Sequence, residues 1–170
     1  NLMKAYYTNK NYSNAVNYAE KILSQSGIDN RIKSDAHVII ARSAIKTNDE
    51  SNARSAYKQV ETIATGKLKA EALYYSAYFE HQDGSYRVSN QIVQKIASDY
   101  AAYKYWGAKG LIIMAKNHYE LKDSFQATYI LESVIKNFSQ FDEVVKEAQT
   151  ELNKIKTEEA KTNNSVIPGN

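Results

Sequence analysis

The chain has 170 residues, 43% of them hydrophobic and 24% charged, which suits one domain with a real core or a short array of repeats. One Pro and six Gly leave few tight turns, which excludes a hairpin-rich all-β fold and favours long helices. A formal charge of +3 is too small to point to nucleic acid or an anionic membrane surface, and the lack of Cys excludes disulfides, thiolate metal sites and a cysteine nucleophile.

Apolar periodicity predicts helices over 2–9 and 11–26, then 31–47 and 50–64, then 67–82 and 85–97, then 101–121 and 124–137. Asp35, Ser85, Ser124 and Asp142 read as N-cap or first-turn residues. Gly84 marks the third hairpin. Gly107 and Gly110 fall inside a predicted helix, at a cost of about 1 kcal/mol each relative to Ala. They are expected to permit close packing beneath Trp106 or Tyr105, or else to kink the helix. A last helix over 141–160 carries Val144, Val145, Ala148, Leu152 and Ile155 on one side and reads as a cap with a polar outer face. Residues 161–170 read as a disordered tail. No run approaches the length of a membrane-spanning helix. Asn1 falls inside a helical pattern without an initiator Met or signal peptide, so a fragment or processed form of a longer protein is expected.

The helices come in pairs, and the pairs repeat. An Ala follows a polar break at Ala15, Ala53 and Ala127, and Val88 occupies the corresponding place after HQDGSYR, giving spacings of 38, 35 and 39 residues. Four positions later stand Ala19, Tyr57, Ile92 and Leu131; twelve positions earlier stand Met3, Ala41, Ser76 and Ala115. A small anchor lets two helices of a hairpin approach closely. Apolar residues at steps of three and four give each helix a stripe that only a neighbouring hairpin can cover.

No residue pattern points to chemistry. His37, His81 and His118 lie in successive first helices without paired-His or HExxH spacing, so each reads as a structural His. Adjacent carboxylates at Asp49–Glu50 and Glu158–Glu159 point about 100° apart on a helix and cannot face each other as an acid–base pair. There is no Gly-rich phosphate loop and no nucleophile elbow. No catalytic residue, cofactor or metal is expected. Of the 14 Tyr, those on apolar stripes (Tyr6, Tyr57, Tyr129) read as core. The rings between Tyr100 and Trp106 cover several sides of a helix, leaving packing on the previous repeat and a partner-facing patch as alternatives.

The paired pattern resembles the tetratricopeptide repeat. Its small eighth position corresponds to Ala41, Ser76 and Ala115, its Tyr position to Tyr6, Phe79 and His118, and its twentieth-position Ala to Ala15, Ala53 and Ala127. The resemblance covers roughly residues 1–138, with repeats near 1–27, 31–65, 67–98 and 101–138. It departs from the family in lacking the fourth-position Trp, the eighth-position Gly and the terminal Pro. The long spacers are similar to those of bacterial cell-envelope arrays, including outer-membrane assembly lipoproteins and Tol-Pal accessory proteins, and a periplasmic or envelope location is what that likeness implies.

The resemblance implies an all-α, right-handed superhelix forming a single solenoid domain over 1–160, with first helices lining a concave groove. The residues following the eighth position would point into that groove: Lys4, Arg42, Ala77 and Lys116. Tyr7, Val38, Ile45, Lys46, Glu80, His81, Lys109, Ile112 and Tyr119 would join them. Three cations among four equivalent positions are loosely similar to the clamp with which some family members hold a peptide carboxylate, although the residue types differ. A solvated basic face is the other reading. The expected function is a scaffold that binds a peptide or partner protein, with an acidic segment as the match for these cations, without nucleic acid and without catalysis. The alternatives are a docking or regulatory segment of a larger multidomain enzyme and an RNA-binding helical repeat.

Overall fold

A computed structural model describes residues 1–166, with side chains through 165. Among the described residues the chain is all-helical: α1 (Leu2–Thr8), α2 (Tyr12–Leu23), α3 (Asn30–Lys46), α4 (Glu50–Ile63), α5 (Gly66–Gln82), α6 (Tyr86–Asp99), α7 (Lys104–Glu120), α8 (Ser124–Asn137) and α9 (Asp142–Val166). It divides into two compact units, Asn1–Ser76 and the residues from Ala77 onward. In the first unit α1 to α4 pack in chain order, and α3 also touches α1. In the second, α6 to α9 pack in chain order, and α9 also touches α7. No helix among the described residues is long and apolar enough to cross a membrane.

Four hairpins (α1–α2, α3–α4, α5–α6, α7–α8) close in the same way. Lys10, Asn48, Gly84 and Lys122 each adopt a left-handed φ between 56° and 78°. The next residue then donates its N–H back across the turn: Asn11 to Tyr6, Asp49 to Ala44, Ser85 to Glu80 and Asp123 to His118, all at 2.8–2.9 Å. This is a Schellman closure, which satisfies carbonyls the helix end would otherwise leave orphaned. Only the third hairpin uses Gly for it; a side chain in that conformation costs roughly 1–2 kcal/mol. The donor residue doubles as the N-cap of the following helix, and the side chains of Asn11, Asp49 and Asp123 accept from Asn14, Asn52 and Gln126.

The closures set the register. Four residues beyond each of these donors stand Ala15, Ala53, Ser89 and Ala127, all 0% exposed, whereas Val88, the expected third anchor, is 46% exposed. The third repeat is therefore shifted by one residue from the sequence expectation. Its small eighth-position residue is Ala77, buried like Met3, Ala41 and Ala115, and not Ser76. A close helix contact demands small size rather than an apolar side chain, and the Ser89 hydroxyl answers its own burial by donating to the Ala77 carbonyl at 2.7 Å. Ser89→Leu is expected to cost about 1–3 kcal/mol by overpacking, while Val88→Ala should stay within about 0.5 kcal/mol. Urea unfolding of the two variants reads this directly, and the reverse order would restore the Val88 register.

Other expectations shift as well. Asp35 lies inside α3, which Asp29 caps by accepting from the Ile32 N–H. Asp123 caps α8, and Ser124 stands in its first turn, one of the two places expected for it. Gly110 allows close approach of α6, not packing beneath Trp106 or Tyr105: a Cβ there would sit 3.3 Å from Val93 Cγ1. Nothing would meet a Cβ at Gly107 within 4 Å. Tyr57 is buried, but Tyr129 is exposed on α8, one turn from an exposed Phe125. Helix α9 continues to Val166, so 161–166 are helical where a disordered tail was expected, and residues 167–170 lie outside the described residues. Val144, Ala148, Leu152 and Ile155 of α9 complete a core with Ala108 and Ile112 of α7 and Leu131 and Val134 of α8. Lys146, Gln149 and Asn153 leave the other side of α9 polar and exposed.

Candidate functional site

Of the cations expected in the groove, Lys4, Arg42, Lys109 and Lys116 have carboxylate partners on the next first helix, or on α9 in its place. Lys4 on α1 contacts Asp35 on α3 at 2.7 Å. Arg42 on α3 donates from Nε to Glu71 Oε1 at 2.8 Å and from Nη2 to Oε2 at 2.6 Å, a two-pronged pair with α5. Lys116 on α7 lies 3.8 Å from Glu151 on α9. In the corrected register Asp35 and Glu71 are equivalent, each 18 residues before its anchor, just as Lys4 and Arg42 are equivalent 11 residues before theirs. Tyr78, not Ala77, occupies the latter position in the third repeat, and Ala77 is buried.

Glu71 is only 1% exposed and accepts a third hydrogen bond, from the Tyr57 hydroxyl at 2.9 Å. Three donors around one buried carboxylate provide the compensation that burying a charge requires. The Tyr57 ring stacks on Tyr75 with centroids 4.2 Å apart. Burial, and then the Glu71 carboxylate, push the Tyr57 phenol far above its ordinary value, while the hydrogen bonds to Glu71 hold the Arg42 proton more firmly than usual. Tyr7 is half-buried beside Tyr12, close enough to Arg42 and Glu71 for their charges to act on its phenol, which burial raises.

A raised phenol contributes stability that is fully present below the unfolded-state value of 10.0 and is lost as pH climbs above it. Tyr57→Phe should therefore flatten the fall in stability above about pH 10, at the cost of one hydrogen bond to Glu71 at neutral pH. Denaturant midpoints of both proteins from pH 8 to 11.5 check this. Parallel alkaline slopes would contradict it.

In the second unit α9 presents carboxylates at four-residue steps. Glu143 accepts from the Tyr105 hydroxyl, Glu147 from Lys109 Nζ at 2.7 Å, and Glu151 pairs with Lys116 and with Lys154. Tyr105 also packs edge-on against Phe141, and none of the rings from Tyr100 to Trp106 is exposed, which favours packing for that aromatic run. His81 Nδ1 lies 2.7 Å from Asn117 Oδ1; Asn117, fully buried, donates in turn to Ser89 Oγ and Asn90 Oδ1 at 2.8 Å. Three of the expected groove residues, Lys109, Lys116 and His81, thus serve contacts inside the unit.

Of the remaining expected residues, Val38 and Ile112 are buried in the core rather than facing a groove, and the others are less engaged. Lys46 is exposed and Glu80 half-buried, and neither side chain has an ion pair among the described residues. Tyr119 lines a cleft of about 610 Å³ between the end of α7 and α9, with Glu120, Lys154 and Glu158 in its walls. Burial, then Glu159, Glu158 and Glu120, raise its phenol. In the first unit a cleft of about 320 Å³ lies between α2 and the α3–α4 hairpin. Its floor includes Ser43, 1% exposed, whose hydroxyl has no hydrogen-bond partner. His37 is half-buried, and burial, then Lys33, hold its imidazole below the ordinary value. No group of three His, Asp or Glu among the described residues could hold a metal ion.

Glu71, Asn117 and the small cleft escaped the sequence reading. The signal for Glu71 was its register equivalence with Asp35, visible only once the third anchor stands at Ser89. Compared with family models, curated proteins and solved structures, the chain has no significant match.

Proposed function

We propose that the chain is a tetratricopeptide-like array that binds another polypeptide and performs no chemistry of its own. The observation that carries this reading is the fourfold recurrence of one hairpin closure, with a buried small residue four positions beyond it each time. Such arrays give a rigid surface whose side chains vary freely over a constant backbone, which suits recognition of a polypeptide. The reading rests on fold-level analogy rather than on a reactive site. An acidic segment approaching Lys4, Arg42 or Lys116 would compete with Asp35, Glu71 and Glu151, so these three cations contribute cohesion first. Lys46 is the groove cation left for a partner.

The test is cross-linking of the tagged protein in its own cells, followed by mass spectrometry with and without nuclease. Recovery of one or a few discrete polypeptides in near-stoichiometric amount, insensitive to nuclease, is the expected result. Recovery that disappears with nuclease would favour the RNA reading, and recovery of the chain alone would overturn the proposal.

A further inference from the structure

We propose that the outer face of α8 joins two copies of this chain, antiparallel about a twofold axis, through Phe125 and Tyr129. This goes beyond the polypeptide-binding reading above and stands without it.

The face departs from its own repeat. Two residues before the buried small anchor and two after it, the first three hairpins carry Ser13 and Asn17, Ser51 and Ser55, and Arg87 and Gln91, all of them polar and exposed. The fourth carries Phe125, 81% exposed, and Tyr129, 60% exposed. The other large hydrophobics exposed among the described residues are Leu2, Ile32 and Val88. They fall singly on α1, α3 and α6, as scattered apolar side chains on a surface do. Two rings one turn apart on the same side of α8 make a stripe that the hairpin does not need.

A second copy is the occupant that this stripe complements. Phe125 and Tyr129 are four residues apart, so a twofold axis crossing α8 midway between them sets each Phe125 against the partner's Tyr129. Glu132 continues the exposed stripe two turns beyond Phe125, and Lys122 is exposed in the turn that leads into α8. Lys122 stands three residues before Phe125 and Glu132 three residues after Tyr129, so the same axis brings each Lys122 to the level of the partner's Glu132. One surface thus supplies both halves of an isologous contact, ring against ring at the centre and cation against anion at each end. Within the chain Glu132 has only Lys156, 3.8 Å away with both side chains exposed, a pairing that holds little of its charge. A depression of about 470 Å³ beside Phe125, with Thr128 of α8 and Ile155 and Ala160 of α9 in its walls, gives the partner's Tyr129 ring apolar surface to lie on.

The size of the contact sets its strength. Rings of about 150–250 Å² each, four in all and partly covered already, bury less than the roughly 1,200 Å² of a standard interface, which places the dimer among weak and reversible ones.

The experiment is sedimentation velocity of the full chain from about 10 µM to about 1 mM, the range in which weak association shows. The mean sedimentation coefficient should climb with concentration towards that of a dimer. The double variant Phe125→Ser, Tyr129→Asn gives α8 the residues that α2 carries at Ser13 and Asn17, and it should weaken association about tenfold or more with an unchanged thermal midpoint. Glu132→Lys should also weaken it, and adding Lys122→Glu should restore it, because the two ends of the contact then attract again. That charge exchange tests the antiparallel pairing even if the aromatic variant fails to fold. A chain that stays monomeric throughout overturns the proposal, and one that does so while binding phosphatidylcholine–phosphatidylglycerol vesicles through Phe125 assigns the stripe to a membrane. Association undiminished in the aromatic variant, or not restored by Lys122→Glu, overturns it as well.

Discussion

Arg42→Ala is expected to be the most damaging single substitution in the first unit, lowering stability by about 3–5 kcal/mol. The Arg42 side chain retains some contact with water, but its partner does not: the Glu71 side chain is 2% exposed and would be left with only the Tyr57 hydroxyl as partner. Arg42→Lys should recover little, because an ammonium cannot reproduce the two parallel bonds at 2.8 and 2.6 Å. Removing the whole cluster is a different matter. The triple variant Arg42→Met, Glu71→Leu, Tyr57→Phe dispenses with the desolvated charges and should regain most of the loss. Chemical denaturation of the three proteins checks the set; a loss under about 1 kcal/mol for Arg42→Ala would mean that water reaches Glu71.

Truncation at the carboxyl end should separate cap from extension. Ending the chain at Gln140 removes Val144, Leu152 and Ile155 from the second core, each worth about 1.5–3 kcal/mol of burial, and bares the faces of α7 and α8 they cover. That total rivals the stability of a whole domain, so the second unit should no longer unfold cooperatively. Ending the chain at Ala160 should shift the thermal midpoint by no more than a degree or so, since none of the residues 161–165 is buried. Calorimetry distinguishes the two truncations, and equal effects would show that the distal part of α9 has a partner of its own.

The helices were legible in the sequence because hairpins of this kind announce themselves twice, by a small residue after a polar break and by stripes at steps of three and four. Predicted and observed spans differ by a few residues at most, except at the end of α9, where KTNNS has no apolar stripe and yet extends a helix already nucleated upstream. The third anchor was misplaced because the reading preferred Val88 to its neighbour Ser89. Size decides at such a contact, and the polar group is absorbed by a carbonyl one helix away. Left-handed Lys10 and Lys122 carry no residue signal at all, since Gly and Asn are what that conformation favours.

The candidate site was legible in position but not in partnership. Equal displacement of Lys4, Arg42 and Lys116 from their anchors was visible, and so was their charge. Their partners lie 31, 29 and 35 residues further along the chain, where Asp35, Glu71 and Glu151 look like ordinary surface carboxylates on amphipathic helices. Which charges remain available therefore depends on packing. Packing takes up Lys4, Arg42, Lys109 and Lys116 among the groove cations and leaves Lys46 without an ion pair among the described residues.

The most direct test of a polypeptide-binding role is photo-cross-linking in the source cells. A benzophenone amino acid would be placed singly at Asn17 or Lys46, both exposed in the first unit, and at Gln149 or Asn153 on the polar face of α9. The account predicts adducts with the same polypeptide from Asn17 and Lys46 and none from the α9 positions. Adducts from α9 alone, or from no position, would contradict it.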